Sequence, residues 1–238
     1  VALTNTDLGV NTDNVVAANL DMAPRPGRSM DEARRRQIAV DLETRLAALP
    51  GVSAAGFGSG IPPALEQMRV SFILSNGTSA DSHMVTMVPA SPGYFRTLEI
   101  RLIAGRLFDD RDDALSTPVV IVSREAARRF FGNDSPLGRT LPLLDKQVTI
   151  VGVVESVKYT GIASGPESTI YAPYAQQPMA ISVLFARTNG DPNQLAADIR
   201  SMIVSYDSAI GVPRLQTLDQ WISDATAPPR FRDVLLGA

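Results

Sequence analysis

The stretch NVVAANLDMAPRPGRSMDEARRRQIAVDLETRLAALPGVSAAGF, Asn14 to Phe57, decides the fold class. Its first nine residues, Asn14 to Met22, form a short apolar run closed by Pro24, Pro26 and Gly27, which reads as a strand. Ser29 is placed to cap a helix, with Asp31 and Glu32 complementing the dipole of the first turn. Within that helix, expected to run to Leu49, Ile38, Leu42, Leu46 and Leu49 recur at three and four residues, with Ala39 and Val40 beside them, and give one apolar face. Arg34, Arg35, Glu43 and Arg45 are expected to face water. Pro50-Gly51 stops the helix and Val52 to Phe57 resumes as a strand, which makes a strand–helix–strand unit with a crossover of suitable length.

A second unit of this kind lies near the other end. Ala180 to Thr188 reads as a strand, Asn189-Gly190-Asp191-Pro192 turns and caps, and Gln194 to Tyr206 carries Leu195, Ile199, Met202 and Ile203 on one helical face. Val212 to Leu215 follows as a short strand, and Thr217 can cap a last helix containing Trp221. The two units share no strong residue identity, so they are no sequence repeat. They can still pair into one split α/β sandwich with everything between them inserted.

The insertion, Ile61 to Gln177, has a different texture. Met68 to Ser75 and His83 to Val88 read as a hairpin around Asn76-Gly77, because Asn-Gly supplies the positive φ angles of a tight turn. Val119 to Val122 and Val148 to Val154 are β-branched runs of strand length, and Arg124 to Phe131 between them is a short helix ending at Gly132-Asn133. Clusters of Gly and Pro at Gly60 to Pro63 and at Gln177-Pro178 read as hinges.

Composition narrows the function classes. At 238 residues the chain can bury a core without staples, and 45% apolar with 20% charged residues is ordinary for a globular protein. A net charge of −3 with interspersed signs offers no basic stripe for nucleic acid. With no cysteine there are no thiolate nucleophiles, thiolate metal sites or disulfides, and the single histidine, His83, forbids a two-histidine metal site. No catalytic, cofactor-binding or metal-binding residue is assigned. Gly56-Phe57-Gly58-Ser59-Gly60 follows a strand like a phosphate loop, yet Ile61-Pro62-Pro63 comes next with no Lys-Ser/Thr, so it reads as a turn. Asp109-Asp110-Arg111-Asp112-Asp113 offers four carboxylates without the spacing or glycine of an EF-hand loop, and reads as a solvated acidic loop.

Three ordered phrases carry a resemblance. They are Ser91-Pro92-Gly93-Tyr94-Phe95-Arg96-Thr97-Leu98-Glu99-Ile100 with Leu102, Gly105-Arg106 and Phe108; Pro118 to Phe131 continuing through Pro136-Leu137-Gly138-Arg139; and Ile150 to Val154 with Val157-Lys158-Tyr159, Gly161 and Ile170 to Tyr174. Together they resemble the periplasmic core domain of MacB-like ABC transporter permeases, the duplicated orphan permeases among them, which belong with the FtsX-like permeases. The resemblance implies an α+β fold: a split βαβ porter-like sandwich from both chain ends, with an inserted mixed α/β subdomain of the kind called Sabre. On that reading 1–60 and 178–228 form the porter-like part, 61–177 the insertion, and 229–238 the start of a membrane-helix tether. The terminal Pro228-Pro229-Arg230-Phe231-Arg232 before an apolar run fits such a tether, and fits a frayed terminus as well.

In these phrases Gly93 after Pro92 permits a tight turn, Gly105 and Gly138 take backbone angles closed to other residues, and Tyr94, Phe95, Phe130 and Phe131 are core side chains. The resemblance further implies a non-catalytic, extracytoplasmic domain of an inner-membrane permease. It would work with a second permease copy or half, a separate cytoplasmic ATPase subunit and a periplasmic adaptor or partner protein, without cofactor or nucleic acid. The alternatives are a periplasmic protein-binding module that regulates a partner enzyme and, from a different class, a soluble enzyme.

Overall fold

The computed structural model describes residues 8–24, 30–61, 68–75, 80–159 and 167–226, apart from the side chains of 73–75, 80, 81, 225 and 226. Ser29, the Asn76-Gly77 turn, Pro62-Pro63, Gly161 and the terminal tether lie outside these residues.

The first unit is β1 (Val15–Asp21), α1 (Glu32–Ala47) and β2 (Val52–Gly58). Asp31 is the N-cap of α1, its side chain accepting from the Arg34 N–H at 2.8 Å. Ile38, Leu42 and Leu46 are fully buried, Leu49 is half-buried, and Val40 is 60% exposed. The second unit is β10 (Ile181–Thr188), α4 (Pro192–Tyr206), β11 (Gly211–Thr217) and α5 (Leu218–Thr226). Asp191 caps α4 through the Asn193 N–H at 2.9 Å, and the Thr217 hydroxyl accepts from Gln220 N–H at the start of α5.

The two units interleave. β10 lies antiparallel between β1 and β2, and β1 lies antiparallel between β11 and β10, so the local order is β11-β1-β10-β2. Each crossover therefore skips one strand supplied by the other end of the chain. Alternation along the central strands sorts the core into two faces. Val16, Ala18, Leu20, Leu184 and Ala186 meet Ile38, Leu42, Leu46, Ile199 and Ile203 of α1 and α4. Val15, Ala17, Val183 and Phe185 meet Tyr94, Phe95, Leu98, Leu218 and Trp221 on the opposite face. Burial on both faces is why these strands read as continuous apolar runs.

The insertion supplies β3 (Met68–Ser75), β4 (Ala80–Ala90), α2 (Pro92–Thr97), β5 (Leu102–Gly105), β6 (Val119–Ser123), α3 (Arg124–Phe131), β7 (Thr140–Leu143), β8 (Lys146–Val154) and β9 (Thr169–Pro173). The sheet continues β2-β4-β9-β6-β8-β5, with β3 on β4 and β7 on β8, mixing parallel β4/β9 and β6/β8 with antiparallel pairs. Its own core gathers Phe72, Val85, Met87, Val122, Phe130, Leu141 and Ile150. The split sandwich with an inserted mixed subdomain is thus the observed fold.

Three readings are corrected by packing, and one hairpin is added. Gly56 and Gly58 lie inside β2 rather than in a turn, because a Cβ at Gly56 would stand 2.6 Å from the Tyr94 backbone nitrogen. Gly93 opens no turn. A Cβ there would lie 2.0 Å from the Ala55 carbonyl oxygen, so its role is the close seating of α2 on β2. Phe131 is half-buried, with the Arg139 guanidinium 5.3 Å from its ring centre, whereas Tyr94, Phe95 and Phe130 are buried. The β7–β8 turn places Leu144 and Asp145 at φ 48° and 61°, a hairpin that this residue pair does not announce. Gly105 and Gly138 do take positive φ, 76° and 77°.

Candidate functional site: the notch between the two parts of the sheet

Within the sheet, among the described residues, the interleaved unit meets the insertion at one strand pair, while on one face the two share the core of Tyr94, Phe95 and Phe185. On its second edge β2 is paired, among the described residues, only at Gly58↔Ala90. One residue later the chain has left β4 and begins α2. Ser91 N–H donates to the Phe57 carbonyl at 2.7 Å, and Phe57 N–H donates to Ser91 Oγ at 2.9 Å. Alongside the unpaired part of β2 a cavity of about 920 Å³ opens. Its walls are α1 (Ala39, Val40, Glu43, Thr44), the β2 edge (Ser53 to Ala55), the start of α2, and the loop from Phe108 to Asp113.

Glu43 is the residue around which the notch is built. Its carboxyl group reaches from α1 to the start of α2 and accepts from the Ser91 hydroxyl and the Gly93 N–H. Oε1 lies 2.3 Å from the place a Cβ on Gly93 would take. Burial pushes its pKa up to about 7 against the pull of Ser91, Arg96 and Gly93, with Asp110 adding to the rise. Sequence reading placed Glu43 outward with Arg34, Arg35 and Arg45. The signal that was there is the pair Ala39 and Ala47, one turn to each side, which leaves room for another element to approach α1.

The acidic loop is bound into an ion-pair network of its own. Arg106 holds the buried Asp112 in a two-point pair at 2.7 and 2.8 Å, and Asp112 also accepts from Asp109 N–H at 3.0 Å. Arg111 pairs Asp109 at 2.7 and 2.9 Å, holding that carboxyl well below the usual range. Asp113 caps the N–H groups of Leu115 and Ser116. The expected solvated loop is therefore internally braced, and Asp110, exposed at the cavity rim, is the aspartate left over. Among the described residues no three His, Cys, Asp or Glu side chains are grouped to hold a metal.

His83 sits far from this chemistry in character. On β4 opposite Phe72, its ring packs 5.6 Å from Phe72 and 4.9 Å from Phe130, acting as a half-buried aromatic. Behind the notch, Tyr94 donates to the Gly60 carbonyl or bonds Tyr159, and Tyr159 bonds Tyr171, three buried hydroxyls that satisfy one another. Burial drives the pKa of each upward, so they remain neutral fasteners.

A two-ended α/β layer carrying a mixed insertion is a fold shared with two solved transporter domains. The periplasmic region of MacB from Actinobacillus actinomycetemcomitans superposes with a TM-score of 0.60 at 16% identity, covering 92% of this chain and 96% of that one. The extracellular domain of the transporter YknZ from Gram-positive bacteria superposes with a TM-score of 0.54 at 15% identity, covering 83% and 100%. At such identities the likeness is one of fold.

The chain belongs to the MacB-like periplasmic core domain family, whose sequence profile matches residues 3–202. Relatives include the macrolide export ATP-binding/permease protein MacB of Haemophilus ducreyi, 34% identical over 85 residues, which are 36% of this chain and 12% of that protein. The MacB of Bartonella henselae is 28% identical over 152 residues, 63% of this chain and 21% of that protein. The uncharacterized ABC transporter permease YknZ of Bacillus subtilis is 33% identical over 82 residues, 34% and 20%. The chain thus spans about a fifth or less of the relatives it matches. Among its described residues no helix is long and apolar enough to cross a membrane.

Proposed function

We propose that this chain is the non-catalytic, extracytoplasmic coupling domain of an ABC-type permease. It stands outside the inner membrane, joined by the tether at 229–238, and relays conformational change between the membrane helices and an extracytoplasmic substrate or adaptor protein. ATP is hydrolysed by a separate cytoplasmic subunit, and a second permease copy or half completes the transporter. The porter-like part (1–60 and 178–228) and the insertion (61–177) are the two bodies that move. The observation that carries this reading is the notch: among the described residues the sheet narrows to the β2–β4 pair Gly58↔Ala90 with a cavity beside it, and the shared core of Tyr94, Phe95, Val183 and Phe185 on the other face is the pivot about which the two parts hinge.

The test uses the whole permease with its ATPase. This chain has no cysteine, so in a permease and ATPase freed of any cysteines elsewhere V40C and D110C, on facing walls of the notch, form a unique pair for a reducible bismaleimide. Cross-linking is expected to abolish substrate-stimulated ATP hydrolysis and reduction to restore it; full stimulation with the cross-link in place would refute the hinge. The second reading, a module that regulates a partner enzyme, draws support from Leu115. That side chain is 96% exposed on a turn braced by Asp113 and Gln176, a fixed apolar point for a protein partner. It requires a stable complex that L115D weakens.

A further inference from the structure

The notch holds more charge than its structural bonds use. Arg187 is spent on the carbonyls of Asn11, Asp13 and Thr97 and on Glu99, and Arg36 on the Ala175 carbonyl and Glu32. Asp109 and Asp112 are paired inside the acidic loop with Arg111 and Arg106, whereas Asp113 accepts neutral backbone N–H groups and keeps its charge. What remains facing the cavity is Glu43 from α1 and Asp110 and Asp113 from the loop against one guanidinium, the exposed Arg96 of α2. The site is therefore negative in either state of Glu43, by one charge when Glu43 carries a proton and by two when it does not.

We propose that the notch is a binding site for a monovalent organic cation, its charged head held between Glu43 and Asp110 and its apolar body on Ala39, Val40, Pro92 and Phe108. A volume of about 920 Å³ suits a compact organic molecule rather than a bare ion, and the apolar wall supplies affinity that a metal would not use. No three-ligand metal cluster is present among the described residues, which favours the same class. Binding at neutral pH is an exchange. The ammonium enters, the Glu43 carboxyl gives its proton to solvent, and the net charge of the site is the same before and after. With the Glu43 pKa pushed up to about 7, the competent carboxylate falls from about nine-tenths at pH 8 to about one-tenth at pH 6. Affinity should therefore be about tenfold weaker at pH 6, with close to one proton released per cation bound there. The inference goes beyond the permease reading and does not depend on it, since it is tested on this chain alone.

The probes share one rigid body and differ in charge: 1-adamantylammonium, 1-adamantanol and 1-adamantanecarboxylate, titrated calorimetrically into the 238-residue chain at pH 6 and pH 8. Two buffers of different ionisation enthalpy count the protons. Saturable one-to-one binding of the ammonium, about tenfold stronger at pH 8, with the alcohol and carboxylate at least tenfold weaker, is expected. E43Q, checked for folding by circular dichroism, should lose both affinity and proton release, while D110N should lose affinity and keep the release. Absence of ammonium binding, equal binding of the three probes, or an E43Q or D110N chain that binds as the parent does would overturn the proposal. If E43Q fails to fold, D110N, on the exposed loop, decides it alone.

Discussion

Ionising Glu43 should cost the folded state measurable stability. Its carboxyl titrates near 4.5 in an unfolded chain and near 7 in the fold, because burial between α1 and α2 disfavours the charge more than Ser91, Arg96 and Gly93 favour it. A raised pKa means that the folded state holds the proton more tightly, so the contribution is fully present below about pH 4.5 and is lost as pH rises through 7. A difference of about 2.5 pKa units corresponds to about 3 kcal/mol at roughly 1.4 kcal/mol per unit. The comparison isolates this group: urea unfolding of the parent and of E43Q at pH 4, 5, 6, 7 and 8, taken as the difference between the two at each pH. Glutamine keeps the shape and the hydrogen-bonding carbonyl but cannot ionise. The stability of the parent relative to E43Q should fall by about 3 kcal/mol from pH 4 to pH 8, most of it between pH 4.5 and 7. Parallel stability curves would show that Glu43 is hydrated or neutralised in solution and that the packing of α1 against α2 is not as described.

Three further outcomes follow from the packing. G93A should destabilise by about 2–3 kcal/mol, since its Cβ would lie 2.0 Å from the Ala55 carbonyl and 2.3 Å from Glu43, and chemical denaturation reads the loss. F95A should cost about 3–5 kcal/mol and F131A less than about 2, because Phe95 is buried on three aromatic neighbours whereas Phe131 is half-buried; equal losses would contradict the register of α3. D112N, which strips the two-point partner from Arg106, should cost about 1–3 kcal/mol, discounted because Arg106 is partly exposed, and should raise the proteolysis rate of the 109–116 loop.

The sequence by itself determined the elements whose signals are local. The 3.6-residue recurrence of Ile38, Leu42 and Leu46 and of Leu195, Ile199 and Ile203 placed α1 and α4 within a few residues. Apolar runs placed β1 and β10, β-branched runs placed β6 and β8, and three ordered phrases placed the family. The short strand β5 and the β7–β8 hairpin were not legible, because β5 is largely exposed and Leu144-Asp145 is not a turn pair that favours positive φ. The N-cap of α1 is Asp31, which the sequence places in the first turn. What only the tertiary structure decided is whatever depends on partners distant in the chain. The interleaving of β10 between β1 and β2 is one case. The glycines of β2, which look like a loop until Tyr94 is laid against them, are another. Glu43 is the third: it reads as a solvent-facing helix residue because its neighbours in sequence are arginines, and it is half-buried because residues 91 to 93 fold over it. Periodicity reports which face of a helix is apolar, but the environment of one polar side chain at the border of that face is set by what the rest of the chain brings there.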